Sequence, residues 1–321
     1  MSRATKAWLI AAASLILIGC ILFGGVMVML KWDFAKLSTG KFGTSTHEIP
    51  ESFRSIRVDT DTADIVLVPA QQENCSVVCD EYEKVRHSVA VKDGTLVIEA
   101  IDTRAWYEHI GIGFQSPKVS IYLPETAYDA LVIKESTGRV EIPADFTFLS
   151  IDVSVSTGDV QCCASVENML KIRTSTGNIG VEHVTVGSLE LSVTTGKVSV
   201  TDVSCRGDAT VTVSTGKAYL TDVVCRGLTS SGSTGDLSLK AVVASDTLSI
   251  KRSTGDIKLE RCDASKIVVR TSTGDVTGDL LTDKVFVCTT DTGHIDVPAS
   301  SPGGRCEITT DTGDVRISVR Q

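Results

Sequence analysis

Aromatic residues make up only 5% of this 321-residue chain, and its three tryptophans, Trp8, Trp32 and Trp106, all stand in the first third. Any later core must be built from Val, Ile and Leu, which favours strands. The sequence has no Cys-x-x-Cys pair, no Gly-x-Ser-x-Gly elbow and no phosphate-binding loop, so zinc ribbons, α/β-hydrolase chemistry and P-loop nucleotide binding find no support. Gly111-Ile112-Gly113 is too short for a dinucleotide fingerprint, and His47, His87, His109, His183 and His294 are dispersed. Excess positive charge is missing too. The formal net charge is −9, and because residues 1–31 hold Arg3, Lys6 and Lys31 but no acid, the remainder is more acidic still. That sign is wrong for a phosphate-binding surface and excludes nucleic acid as a partner. A hydrophobic content of 42% excludes a wholly disordered polymer.

The longest uncharged stretch runs from Ala7 to Leu30, AWLIAAASLILIGCILFGGVMVML. It exceeds the roughly 20 residues that cross a bilayer core as a helix. Arg3 and Lys6 precede it, and by the positive-inside rule the amino terminus is cytoplasmic, although Lys31 and Lys36 weaken that bias. Cleavage as a signal peptide is disfavoured, because the apolar run outlasts the usual h-region of about 7 to 15 residues and no small-x-small site follows. Leu17-Ile18-Gly19-Cys20 resembles a lipobox, but the chain stays apolar from Ile21 to Leu30, so Cys20 reads as an ordinary membrane-buried side chain.

The dominant signal is an internal repeat. Thr-Gly recurs at Gly138, Gly158, Gly177, Gly196, Gly216, Gly235, Gly255, Gly274, Gly293 and Gly313, always 19 or 20 residues apart. Two residues after each Gly stands an apolar residue, among them Val140, Ile179, Ala218, Ile257 and Val315. Before the turn, pairs such as Leu131/Ile133, Leu189/Leu191 and Ile267/Val269 alternate in the same way, which means strands with one face buried. Each repeat therefore reads as strand, Ser-Thr-Gly turn, strand, then a second corner marked by Val184, Val203, Val223 or Val242. The Gly follows from a corner of positive φ or from backbone approach too close for a β-carbon. Coils stacked about 4.8 Å apart would pair each strand with its counterpart one repeat on, in a rod of about 45 to 50 Å.

The fold predicted is thus all-β: a β-solenoid of about ten 19- to 20-residue coils with an irregular N-terminal cap, preceded by one transmembrane helix. Residues 1–6 form a cytoplasmic tail, 7–30 the membrane helix, 31–46 a linker, 47–134 a degenerate first coil and cap, and 135–321 the solenoid repeats. In the cap, Ile56, Val58, Ala63, Ile65 and Leu67 match the repeat offsets with Ala63 in place of Gly, and Val91-Lys92-Asp93-Gly94-Thr95-Leu96 reads as a hairpin.

Asp159, Asp236, Asp256, Asp275 and Asp314 follow turn glycines, and stacked carboxylates about 5 Å apart could hold Ca²⁺. The same position holds Arg139, Asn178, Lys197, Lys217 and His294, so turn chemistry is the stronger reading and no metal site is expected. Cys75 and Cys79, four apart on a strand, would be about 13 Å from each other and unlinked. Cys205 and Cys225 would be neighbours one coil apart, within reach of a disulfide. Asp152, Asp159, Glu182 and Glu190 would form an acid/base group only if they converged on one face. They read instead as scattered surface carboxylates, so neither catalytic nor cofactor-binding residues are expected.

The amino-terminal anchor, the segment IRVDTDTADIVLVP (56–69), KVSIYLP (118–124) leading into LVIKESTGRVEI (131–142), and the repeated Ser-Thr-Gly-Asp-Val together resemble the bacterial "putative adhesin" family of β-strand repeat proteins, a domain of unknown function. The resemblance covers residues 47–321. It implies a β-solenoid displayed on the cell envelope, often in Gram-positive bacteria, with a role in adhesion or the envelope-stress response; its motifs are architectural and carry over no functional residue. The expected function is a non-catalytic, membrane-anchored binding, adhesion or scaffolding module at the bacterial surface, with surface proteins or glycans as partners. The alternatives are an accessory protein of an envelope-stress signalling system and, further off, a carbohydrate-active enzyme.

Overall fold

The computed structural model describes residues 2–33, 41–70, 74–106, 115–299 and 302–320. His109, the Gly111/Gly113 pair and residues 34–40 of the linker lie outside them. The one α-helix among the described residues, α1 (Arg3–Met29), starts at Ser2, whose hydroxyl accepts the Thr5 N–H at 3.2 Å, and spans 27 residues. At about 1.5 Å per residue it exceeds the roughly 30 Å of a bilayer core. Trp8, Leu15, Ile16 and Leu22 are all exposed, whereas Met27 in its last turn is buried. It is long and apolar enough to cross a membrane.

The rest is strand: β1 (Phe42–Ile49), β2 (Ser55–Thr62), β3 (Asp64–Ala70), β4 (Cys75–Tyr82), β5 (Val85–Lys92), β6 (Thr95–Asp102), β7 (Lys118–Pro124), β8 (Ala127–Thr137), β9 (Val140–Ile142), β10 (Thr147–Thr157), β11 (Val160–Cys162), β12 (Ser165–Cys205), β13 (Asp208–Cys225), β14 (Gly227–Thr234), β15 (Leu237–Thr254), β16 (Ile257–Thr273), β17 (Val276–Leu280), β18 (Lys284–Thr292), β19 (Ile295–Asp296), β20 (Gly304–Thr312) and β21 (Val315–Val319). The ten Thr-Gly corners bound a β-solenoid of about nine turns. Pairing between coils is parallel and in register: Leu191 lies beside Val211, Gly196 beside Gly216 and Val200 beside Leu220. Alternation places Val140, Val160, Ile179, Val198, Ala218, Leu237, Ile257, Val276 and Val315 in one buried column. Removing each such side chain from water contributes about 1.5 to 3 kcal/mol for the larger ones.

Two different devices turn the corners. At the first, Gly196 and Gly216 adopt φ of 146° and 135°, and a β-carbon on Gly216 would stand 1.8 Å from the Gly196 carbonyl oxygen. Both expected causes of the glycine therefore act together. At the second, the bend falls on the residue before the marker valine. His183, Asp202, Asp222, Ala241 and Arg261 hold left-handed φ of 53° to 56°, and each precedes a buried Val184, Val203, Val223, Val242 or Cys262. Asp suits this conformation better than Ala or Arg.

Stacking follows sequence order through the middle of the rod but not at its ends. The coil of β2 and β3 lies against β8 and β9 as predicted, Ile56 beside Leu131 and Ile65 beside Val140. Its other edges are covered by β6 and β7. Beyond them, β5 pairs with β6 through the predicted Asp93-Gly94 turn (φ 49° and 72°), and β4 joins β7 to β1. β1 takes in residues 42–46, inside the span read as linker. At the far end, β20 pairs with both β16 and β18, and β21 with both β17 and β19. The coil last in sequence is therefore sandwiched, and the Gly293 coil closes the rod. This corrects the expectation that every copy stacks on its predecessor: at the C-terminal end the coil last in sequence is paired on both edges and the Gly293 coil keeps the free edge, while at the N-terminal end β1, paired with β4 alone among the described strands, keeps one.

Candidate functional site

The residues directly after the turn glycines form a hydrogen-bonded column. Asp256 N–H donates to Asp236 Oδ1 at 3.3 Å, Asp275 N–H to Asp256 Oδ1 at 3.0 Å, Asp314 N–H to Asp275 Oδ1 at 2.8 Å and His294 N–H to Asp314 Oδ1 at 2.8 Å. These carboxylates serve the backbone of the next coil, which explains Asp at this position without a cation.

Two coils away from that run the same face is indented. Outward from β9, β11 and β12 stand Glu141, Gln161, Gly180 and Ser199, flanked by Arg139, Asp159, Asn178 and Lys197 on the corner side and by Glu182 on the other; they line a groove of about 350 Å³. Its floor is Gly180, and the Gln161 side chain leans across it, since a β-carbon there would meet Gln161 Oε1 at 2.0 Å. Gly180 lacks the positive φ of the corner glycines, so the backbone does not demand it. Arg139 pairs with Glu141 at 3.5 Å, and Asp159 Oδ1 accepts the Asn178 N–H at 2.8 Å and its Nδ2 at 2.9 Å. Among the described residues Lys197 and Glu182 have no ion-pair partner, whereas the next lysine in the column, Lys217, pairs with Asp236 at 2.9 Å. The groove thus offers one free cation and one free anion above a missing side chain. Aligning the repeats could have revealed it: the third residue after the turn is Gly only in this copy.

The four carboxylates considered for catalysis do not converge. Asp159 and Glu182 line this groove, while Asp152 and Glu190 bracket Arg173 on the strand before the turn, at 3.9 and 3.4 Å.

Every cysteine is a free thiol. That holds for Cys75 and Cys79, four apart on one strand, and for Cys205 and Cys225, which the sequence placed within reach of a disulfide without deciding between a bridge and two free thiols. The two are neighbours, because Ser204 lies beside Val224, but the Cys205 thiol donates to the carbonyls of Asp208 and Gly187 at 3.6 and 3.8 Å. Burial pushes the thiols of Cys75, Cys79, Cys162, Cys225 and Cys306 up to about 12, so each keeps its proton at neutral pH unless a bound cation displaces it. One constellation escaped the sequence reading: Cys79, Glu81 and His87, buried together in the cap, offer three donor atoms within 4.8 Å of one another.

Comparison with solved structures returns, among others, a "putative adhesin" from Bacteroides fragilis NCTC 9343 (14% identity, 87% of this chain and 97% of that one, TM-score 0.36). A "putative adhesin" from Parabacteroides merdae ATCC 43184 matches at 12% identity over 88% and 98%, with a TM-score of 0.39. A "putative lipid binding protein" from Parabacteroides distasonis ATCC 8503 matches at 16% identity over 88% and 98%, with a TM-score of 0.34. No curated protein matches the chain. The Toastrack DUF4097 family model matches residues 53–216 and 207–321, together nearly the whole solenoid with its cap, and the chain belongs to that family.

Proposed function

We propose that this protein is a non-catalytic binding module, anchored by α1 in the bacterial cell membrane with its amino terminus in the cytoplasm and its solenoid outside. On this reading the groove over Gly180 receives a polar surface polymer, a protein or glycan strand laid across successive coils. The observation that carries the reading is the pair of unpartnered charges, Lys197 and Glu182, beside an outward position that has no side chain. An uncharged span from Ala7 to Leu30 preceded by Arg3 and Lys6 supports the anchor and its orientation. Groove charges act mainly on specificity and encounter, and a groove in a rigid ladder is pre-organised for an extended partner.

The test is display of the full chain in vesicles, followed by capture of bacterial surface material by wild type, Lys197→Ala/Glu182→Ala and Gly180→Trp. Retention should fall at least tenfold in both variants while the wild type releases its ligand unaltered. Equal retention by all three, or chemical turnover of the captured material, overturns the reading. Protease added outside intact cells should digest residues beyond 41 and spare the amino terminus; the opposite pattern reverses the orientation.

A further inference from the structure

β4 and β5 leave their turn at Glu83 and Lys84 joined by one pair, Tyr82 beside Val85. They then separate, β4 to lie between β1 and β7, and β5 to join β6. The wedge between them closes the N-terminal end of the core. Deeper layers fill the equivalent space with Val77, Leu96, Ile98, Val119 and Ile121, all fully buried. In the wedge stand Cys79, Glu81 and His87 instead, at 0%, 6% and 5% exposure.

A carboxylate and an imidazole are costly at such depth, and apolar residues would seal the end equally well. Their geometry is fixed from several sides. Glu81 Oε2 accepts the His87 N–H at 2.7 Å and lies 2.9 Å from Nδ1 of the same residue. Glu81 Oε1 accepts the Ser45 hydroxyl at 2.8 Å, and Ser45 Oγ is 3.5 Å from His47 Nε2. One sulfur, one imidazole nitrogen and one carboxylate oxygen converge within 4.8 Å of one another. That donor set suits a borderline-soft cation that takes four ligands, whereas Mg²⁺ and Ca²⁺ prefer oxygen alone.

We propose that Cys79, Glu81 and His87 bind a zinc-class divalent cation that ties β4 to β5 and locks the cap over the solenoid end. On binding, the Cys79 S–H bond breaks, its proton leaves to solvent and an Sγ–metal bond forms; no electron changes hands. The site is distinct from the groove and tethers the two solenoid faces at the one place where the β4–β5 ladder is a single pair.

Full-length protein in detergent micelles, stripped with chelator, is titrated with Co²⁺ as a spectroscopic probe and then with Zn²⁺. One equivalent of Co²⁺ should give a thiolate-to-cobalt charge-transfer band that Zn²⁺ bleaches, and Zn²⁺ but not Mg²⁺ should raise the melting temperature. Cys79→Ser should abolish the band, and His87→Asn should weaken binding at least tenfold. A band of undiminished intensity in Cys79→Ser means that other thiols hold the metal and overturns the assignment. Should that variant fail to fold, the wild-type titration still decides, because absence of a thiolate band there overturns the proposal as well.

Discussion

The Gly313 N–H donates to the Thr292 carbonyl at 2.9 Å, while the Gly274 N–H donates to the Thr312 carbonyl at 2.9 Å. The final coil of the chain is thus a wedge between two earlier ones. β18 and β19 pair with β20 and β21 and with no other described strand. Deleting residues 302–321 should therefore release residues 284–299 as well, although they precede the cut. Limited proteolysis of the truncated protein should yield a stable core ending near residue 283; a core still ending near 299 would show that β18 can dock directly on β16.

Substitutions at two kinds of glycine should differ sharply. At Gly216, alanine combines a φ of 135° with a β-carbon 1.8 Å from the Gly196 carbonyl oxygen, a backbone atom that cannot step aside. Gly216→Ala should lower stability by about 2 to 4 kcal/mol. At Gly180 the obstacle is the end of the flexible Gln161 side chain and the backbone is ordinary. Gly180→Ser should change stability by less than about 0.5 kcal/mol, as for a surface site away from the packed core. Urea unfolding of both variants measures the contrast, and similar losses at the two positions would refute the division between corner and groove glycines.

How far these features could be read from the sequence depends on whether they repeat. The corner glycines, the inward columns and the place of Ile56 and Ile65 were legible because each offset recurs and period-2 alternation has one structural meaning. The second corner was located one residue late: Val184 and Val203 are conspicuous as apolar residues, but the chain turns at His183 and Asp202, whose identities vary between copies. The swapped order at the end was not legible, since the Gly293 and Gly313 copies share the same Asp-Thr-Gly and only the tertiary path of the connecting segments distinguishes them. Gly180 was present as a lone departure at an outward position, where no packing constraint drew notice. Cys79, Glu81 and His87 meet across a splayed hairpin, and nothing in their spacing of two and six residues announces it.

Arg252 is an inward residue in a core column that elsewhere carries Val193 and Val213. It is 3% exposed, its Nη1 donates to the Val213 carbonyl at 3.2 Å and its Nη2 to Ser230 Oγ at 3.1 Å, while Nε has no partner. Among the described residues no carboxylate pairs with it, and burial lowers its pKa. It lies over Gly232, whose absent β-carbon would meet Nη1 at 1.8 Å. Arg252→Met keeps most of the volume and removes an uncompensated charge, so it should stabilise the rod by about 1 to 3 kcal/mol. A lower urea midpoint would show that the guanidinium's two hydrogen bonds outweigh its desolvation.

Glu135 belongs to the same column near the other end, and its titration should make the rod less stable as pH rises. Its carboxylate accepts the Thr60 hydroxyl, and its Oε1 accepts the N–H groups of Ala63 and Thr137 at 3.2 Å each. Those bonds favour the charged form, but burial outweighs them and raises the pKa from 4.5 to about 7. Below the lower value both folded and unfolded chains hold the proton. Between the two values the unfolded chain has released it and the folded one retains it, so protonation favours folding, and this contribution is lost as pH rises through 7. Gln at this position stays neutral, can accept the two N–H bonds through its carbonyl oxygen, and can donate to the Thr60 hydroxyl through its amide. Glu135→Gln should therefore match wild type near pH 4.5 and exceed it at pH 8, with the difference growing across that window in urea titrations at fixed ionic strength. A difference that is constant with pH would mean that Glu135 is charged in the folded rod throughout, its three hydrogen bonds having overcome its burial.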